Sequence, residues 1–511
     1  MGLRMSTKIG VRIIVIFTIL LLGVFATLDY MAPAGRRLAK VKGEDPVNYF
    51  GTAHSMLFDH DFNLNNEYEH MPPDGRFWTL GQPSTGLPGS PWGLGYSFLS
   101  MPLLALGTGV DALTGHPADG YSQWAIYFYC VGSLIFTGCG MVALFLLLQS
   151  VAAYWKILPE EHQSIYALFV TFAVFFGTSV GYYAFSEMAH AATFLCASVF
   201  LLLWWRERES ESAGGWLVLG LAGGFLSITR WQDVLYLAGP LLFDLGGGLA
   251  ILARASWWRS RLLYAAGIGL CWAPQIFQWK MIYGKYITIP QGGGIFSFPP
   301  QHMMQVLFSS QNGFFIWTPL TLLGIAGLVM GAFKATRIYL PWIIVFLLQA
   351  MVVGAVSFWS GVESFGARYM LSNTPLVGFG LITAYGMSGV WVRRTLSAAA
   401  AVCCIFTSLF AIQFRLDLVP TETRLTSSEL FYDKIHLVGV RQRKASTKLA
   451  VAALKEGNPE EAIRILEPLR SLGEDRNVEM YLEKAYRAAG KTEQADAAGR
   501  RFKQIIASEY F

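Results

Sequence analysis

From Val11 to Phe414 the chain is a succession of apolar runs separated by short polar connectors. Most runs approach the roughly 20 apolar residues that a bilayer-crossing helix needs. The first covers Val11–Leu28 and follows Arg4, Lys8 and Arg12. The others read as 123–149, 164–185, 186–205, 216–232, 235–253, 262–282, 313–333, 341–358, 371–391 and 397–414. Basic residues stay on the cytoplasmic side of a membrane. That rule places the N-terminus inside, together with Arg254, Arg259 and Arg261, with Lys334 and Arg337, and with Arg393 and Arg394. An uncleaved first helix is preferred to a signal peptide, although Ala32-Pro33-Ala34 has the small residues of a cleavage site.

The segment from Leu94 to Val110 is apolar, but if it crossed, Arg254 would fall outside. It also carries Gly95, Pro102, Gly107 and Gly109. It is therefore read as interfacial or re-entrant, which membranes tolerate where protein covers the backbone. The expected fold is all-α: a polytopic helical membrane domain of about 11 spans over residues 1–415, followed by a small soluble tail. Three outer loops, at about 29–122, 283–312 and 359–368, converge on one face. A linker at 416–444 leads to a polar, alanine-rich tail from Ala445 onward. There Leu449, Ala452, Gly457 and Ala462 match Leu482, Ala485, Gly490 and Ala495 at an offset close to the tetratricopeptide period. Two such units are few for independent stability, so a partner protein or the membrane domain is expected to support them.

Composition sharpens this picture. Of the 511 residues 54% are hydrophobic and 14% charged, against about 25% charged in ordinary soluble domains. A disordered chain is excluded, and a soluble enzyme is disfavoured. A net charge of +5 over this length argues for no nucleic-acid partner. The six cysteines all fall in apolar stretches and form no C-x-x-C pair, so neither disulfides nor a zinc site are expected.

Chemistry concentrates in the outer loops. Glu44-Asp45 opens PVNYFGTAHSMLFD, whose Val47, Phe50, His54, Leu57 and Phe58 recur at helical spacing. That spacing describes an amphipathic helix on the membrane surface. A carboxylate at its start could deprotonate an acceptor hydroxyl, or it could simply cap the helix, with Pro46 in the first turn. Asp59-His60-Asp61-Phe62-Asn63 begins like a calcium loop but lacks the later glycine and glutamate, so it reads as a turn. His54, His60 and His70 show no metal-ligand spacing, and no metal site is assigned. Ionisable groups near span ends are expensive and so are functional candidates. They include Glu187 and His190 in FSEMAH, Arg230 and Asp233 in TRWQD, and Gln275, Gln278 and Lys280. Finally, FWSGVESFGARYM offers Trp359, Glu363 and Arg368, the last a fork suited to phosphate oxygens unless Glu363 and Arg368 merely pair with each other.

Taken together, the chain resembles the GT-C glycosyltransferases that use polyprenyl-phosphate sugars, such as protein O-mannosyltransferases and aminoarabinose transferases. The resemblance rests on EDPVNYFGTAHSMLFDHDFNLNNEY, GLPGSPWGLGYSFLSMPLLALG, YAFSEMAHAATF, LFSSQNGFFIWTPL and FWSGVESFGARYMLSNTPL, and covers about residues 10–415. It implies inverting transfer of a sugar from a lipid phosphate to an acceptor on the outer face of a bacterial inner membrane. The family's first-loop catalytic acid maps onto Asp45 or its neighbour Glu44, the order here being Glu-Asp rather than the Asp-Glu of several relatives. An anionic leaving group needs a cation near the outer membrane edge. The candidates for it are Arg368, Arg230, Lys280 and Lys285. Substrate contacts are expected from Glu187, His190, His54, Trp359, Glu363 and Gln278. The partners implied are membrane polyprenyl phosphate and a glycan, lipid or protein acceptor, with a protein partner on the tail. No cofactor beyond the lipid-linked donor is assigned, and dependence on a divalent metal stays open. A transporter or flippase would show matched broken helices in two halves, which are not visible here. A non-catalytic scaffold with a partner-binding tail is the other alternative.

Overall fold

The computed structural model describes residues 6–32, 37–71, 85–157, 162–361, 364–419, 425, 430, 437–472 and 475–509. Among them the protein is all-α, and its β-type pairing is an isolated bridge between Phe296 and Val356. The first half comprises α1 (Thr7–Met31), α2 (Glu44–His54), α3 (Asn65–His70), α4 (Gly95–Leu113), α5 (Gln123–Tyr154), α6 (Gln163–Gly177), the short α7 (Val180–Tyr183), α8 (Ala189–Glu207) and α9 (Ala213–Thr229). Then come α10 (Ala238–Leu245), α11 (Ala255–Tyr283), α12 (Met303–Phe308), α13 (Phe314–Trp317), α14 (Leu320–Lys334), α15 (Thr336–Gly354), α16 (Thr374–Met387) and α17 (Val390–Arg415). Six of these, α1, α4, α5, α8, α15 and α17, are long and apolar enough to cross a membrane, and α6, α9 and α14 are shorter apolar helices.

Successive helices alternate between two ends of the bundle. At one end Arg254 pairs with Glu211 at 3.3 Å and Arg337 with Glu209 at 3.6 Å. Trp155 Nε1 there donates to the Tyr339 hydroxyl at 2.6 Å, and Arg393 Nε to the Tyr385 carbonyl at 2.8 Å. The basic clusters thus collect at a single end. The three long loops meet at the other: Gln291 donates to the Pro91 carbonyl at 2.6 Å, Ser297 N–H to Ala355 at 2.8 Å, and Asn312 to Ser360 at 2.7 Å. Between the ends, α14 and α16 cross on glycine. A Cβ on Gly380 would lie 1.8 Å from the Gly324 carbonyl oxygen, so only a bare backbone allows this approach.

Three local expectations change. The stretch 235–253 is not one helix: a 3₁₀ segment at Trp231–Leu237 leads into α10, and Gly246-Gly247-Gly248 ends it. Helix α2 is not a surface helix, because Pro46 through His54 is buried on every side. Tyr49 packs edge-on against Tyr96 at 5.2 Å, Phe50 against Tyr129 at 5.1 Å, and Val47 joins Leu64 and Tyr68. Its polar residues, Asn48 and Thr52, are absorbed by internal hydrogen bonds, which helical spacing of apolar residues alone does not reveal. Third, α4 is a continuous helix. Its start packs on Thr229 at the end of α9, and near its far end Asp111 accepts the backbone N–H groups of Trp124 and Ala125 at 3.1 and 2.8 Å. It therefore flanks only the first part of α5, up to the level where Tyr96 meets Phe136.

The tail forms α18 (Leu437–Lys455), α19 (Pro459–Leu466), α20 (Arg476–Ala488) and α21 (Thr492–Glu509) around a small core of its own. Gly457 and Gly490 both turn at positive φ, 77° and 74°, and Ala462 and Ala495 are both buried. Leu449, however, is 64% exposed where Leu482 is buried. Ala450 and Ala453 take the inward places, so the repeat register slips by one residue before the turn.

Candidate active site

The site is built where α2, the break before α8, the end of α9 and the segment after α15 meet. Gly43, at φ 94°, turns the chain into α2 and places Glu44 and Asp45 in its first turn, so Asp45 is not the cap. The Asp45 carboxylate instead accepts from Arg368 Nη1 at 3.2 Å, across 323 residues of sequence. Both side chains are nearly buried, at 12% and 13% exposed. Arg368 Nη2 donates to the Tyr369 hydroxyl at 3.2 Å, Nη1 lies 4.0 Å from the Met188 sulfur, and Nε has no partner among the described residues.

A second cation stands beside it. Arg230 caps α9 and donates to His190 Nε2 at 2.5 Å. Because a guanidinium only donates, that imidazole accepts and is neutral, with its proton on Nδ1. His190 stacks on Tyr183 at 4.1 Å. The Tyr369 ring faces both guanidinium groups, 5.6 Å from Arg230 and 5.1 Å from Arg368. Buried Tyr49 completes the group, and loss of hydration holds its phenol well above the usual range. Glu187 sits half-buried in the break between α7 and α8, next to Met188, and desolvation pushes its carboxyl up to about 7.

A cavity of about 230 Å³ opens beside Arg230 and Tyr369. Arg230, Tyr49 and Tyr369 form its polar end, while Trp92, Leu235, Val352 and Phe358 contribute to a largely apolar wall. The arrangement can therefore hold an anion at one end and hydrocarbon along the rest, with a carboxylate in reach of the anion.

The structure thus brings together Asp45, Arg368, Arg230 and His190, with Glu187 at the margin. Lys280 and Lys285 are on the exposed rim; Lys280 donates to the Gly284 carbonyl at 3.0 Å and lies over Tyr286. Gln278 is buried with Gln275, which donates to it at 2.7 Å and itself holds the Leu94 N–H. Trp359 is buried and stacks on His302 at 5.9 Å. His54 lies at the far end of α2, and Glu363 lies outside the described residues. Tyr369, Tyr183 and Tyr49 were not singled out by sequence; the one available signal for Tyr369 was its place beside Arg368 in the glycine-bearing FGARYM segment.

No family model matches the sequence, and no curated protein matches it. Among solved structures the chain is similar to ArnT from Cupriavidus metallidurans bound to undecaprenyl phosphate, at 14% identity and a TM-score of 0.47, over 95% of this chain and 77% of that one. It is also similar to the archaeal oligosaccharyltransferase AglB from Archaeoglobus fulgidus in complex with an inhibitory peptide and a dolichol-phosphate. That match has 12% identity and a TM-score of 0.40, over 78% of this chain and 56% of that one. Both neighbours are GT-C glycosyltransferases.

Proposed function

We infer that the protein is an integral-membrane glycosyltransferase that moves a sugar from a polyprenyl-phosphate donor to an acceptor, with inversion. The observation that carries this reading is Arg230 in the lining of a largely apolar cavity, with the Asp45–Arg368 pair joined to that lining through Tyr369. The isoprenoid chain takes the apolar wall, and its phosphate takes the two guanidinium groups. In the reaction an acceptor oxygen forms a bond to the anomeric carbon while the bond from that carbon to the phosphate oxygen breaks. The acceptor's proton goes to Asp45, and the charge left on the phosphate is stabilised by Arg368 and Arg230.

In the resting state the Asp45 carboxylate is tied to Arg368. A donor phosphate competes for the same guanidinium, so donor binding frees the carboxylate as it brings the reacting carbon into place. The neutral His190 fixes Arg230 without competing for the anion. The site faces away from the end that gathers the basic clusters, which supports an extracytoplasmic site and a cytoplasmic N-terminus. The tail, joined to the end of α17, then shares the side of the site and is free to hold an acceptor or partner.

The test is direct binding of undecaprenyl phosphate to the protein in nanodiscs. Saturable binding is expected, lost in Arg230→Ala and weakened about tenfold in Arg368→Lys, whose ammonium cannot fork. Equal binding by all three proteins would remove the phosphate from this site.

A further inference from the structure

A second cluster lies at the opposite end of α2 and takes no part in the proposed chemistry. His54 ends α2, a π-helical turn over Ser55–Asp59 follows, and α3 begins six residues later. This path folds three ligating side chains onto one point. His54 Nδ1 is 3.0 Å from Glu67 Oε1 and 4.0 Å from Asp59 Oδ2. One ligand atom from each residue falls within 4.8 Å of the others.

The hydrogen bonds around the ring decide what the point lacks. His54 Nε2 lies 2.8 Å from the Asp119 carbonyl oxygen, which can only accept. Nε2 therefore carries a proton, and Nδ1 faces the two carboxylates, with the Tyr121 hydroxyl 3.4 Å away. The ring cannot swing away, because Phe58 and Tyr121 hold it at 4.5 and 4.1 Å. Glu67 is 1% exposed, and its second oxygen, Oε2, has no hydrogen-bond partner. Asn66 donates to Asp59 at 2.9 Å and to Glu67 at 3.2 Å but brings no charge. Among the described residues no lysine or arginine pairs with Asp59 or Glu67. Two carboxylates and an imidazole nitrogen thus converge on one point, with no lysine or arginine opposite them among the described residues.

We propose that His54, Asp59 and Glu67 bind a divalent transition-metal ion. One imidazole nitrogen with two carboxylate oxygens suits zinc or manganese, and the more exposed Asp59 leaves a side open for water. The Asp119 carbonyl is the outer partner that orients the ligating ring, as such partners do at metal sites. The ion joins the end of α2, the π-helical turn and α3 in one clamp. Asp45 is nine residues away along α2, about 14 Å at the helical rise, so the ion does not touch the reacting atoms. The proposal is independent of the reaction assigned to Asp45.

The full-length protein is stripped with a chelator and titrated with Zn²⁺ or Mn²⁺. Metal content is read by mass spectrometry and thermal stability alongside it. About one ion per chain should be taken up, with recovery of the melting temperature lost on stripping. Asp59→Asn, a change at an exposed side chain, should fold and lose at least about 10–100-fold in metal affinity, and Glu67→Gln more. His60→Ala with His70→Ala should bind as the parent does, which separates the site from surface histidines. No uptake by the stripped parent, or equal uptake in Asp59→Asn, would overturn the proposal and leave His54 and Glu67 sharing a proton.

Discussion

Two buried arginine–aspartate pairs hold opposite ends of this bundle, and they are built differently. At the basic end Arg261 meets Asp244 through two parallel bonds, Nε and Nη2 each at 2.8 Å. Its remaining nitrogen donates to Ser260 at 2.8 Å, and the guanidinium lies 3.5 Å over Trp216. Trp257 supplies Asp244 with a further donor at 2.9 Å. At the other end Arg368 holds Asp45 through one bond of 3.2 Å, its Nε has no partner among the described residues, and the adjacent Tyr369 lines a cavity. A saturated pair has no capacity left for a ligand, whereas an unsaturated one keeps donors and a carboxylate in reserve. The first is a strut, and the second is a site.

That contrast breaks most sharply on Asp45. Asp45→Asn keeps the size of the side chain and removes its basicity. Turnover in a sugar-transfer assay should fall by about 10²–10⁴-fold while expression and undecaprenyl phosphate binding persist. Glu44→Gln should leave far more activity. If the two variants exchange behaviour, the base is Glu44; if neither loses turnover, the pair at this end is as structural as the other.

The strut should fail in stability instead. Asp244→Ala strands a buried guanidinium and should cost roughly 3–5 kcal/mol, seen as a large fall in melting temperature. The paired change of Asp244→Leu with Arg261→Met should restore much of it, because two apolar side chains need no partner. A melting temperature unchanged in Asp244→Ala would show that saturation of hydrogen bonds does not mark a structural pair here.

The two ends also differ in how far they could be read beforehand. Apolar run lengths disclosed the helical class, because a bilayer-crossing helix carries its signature in consecutive residues. The exception was 235–253, where a 3₁₀ segment and three glycines divide an apolar run. Arg368, Arg230 and His190 were legible one by one, as polar residues that a span end does not need. Their partnership was not, since 323 residues separate Arg368 from Asp45 and only the fold measures that distance. The metal cluster shows the same limit: His54, Asp59 and Glu67 have no diagnostic spacing, and a π-helical turn that no local propensity announces brings them together. Helix α2 looked amphipathic from the helical spacing of Val47, Phe50 and His54, yet its polar Asn48 and Thr52 satisfy themselves inside.

The smallest effect probes the margin of the site. Desolvation raises the Glu187 carboxyl from 4.5 to about 7 in the folded chain. A raised folded value means the native state holds its proton where the unfolded chain has released it. The contribution to stability is therefore fully present below about 4.5 and is lost as pH rises through about 7. Glu187→Gln fixes the neutral form at every pH. Its melting temperature should match the parent near pH 4.5 and exceed it by an increasing margin toward pH 8, worth roughly 1–2 kcal/mol once partial solvation is allowed for. Parallel pH curves for the parent and Glu187→Gln would mean that water reaches Glu187 freely, and the break before α8 would then be a wet entrance rather than the dry wall of the site.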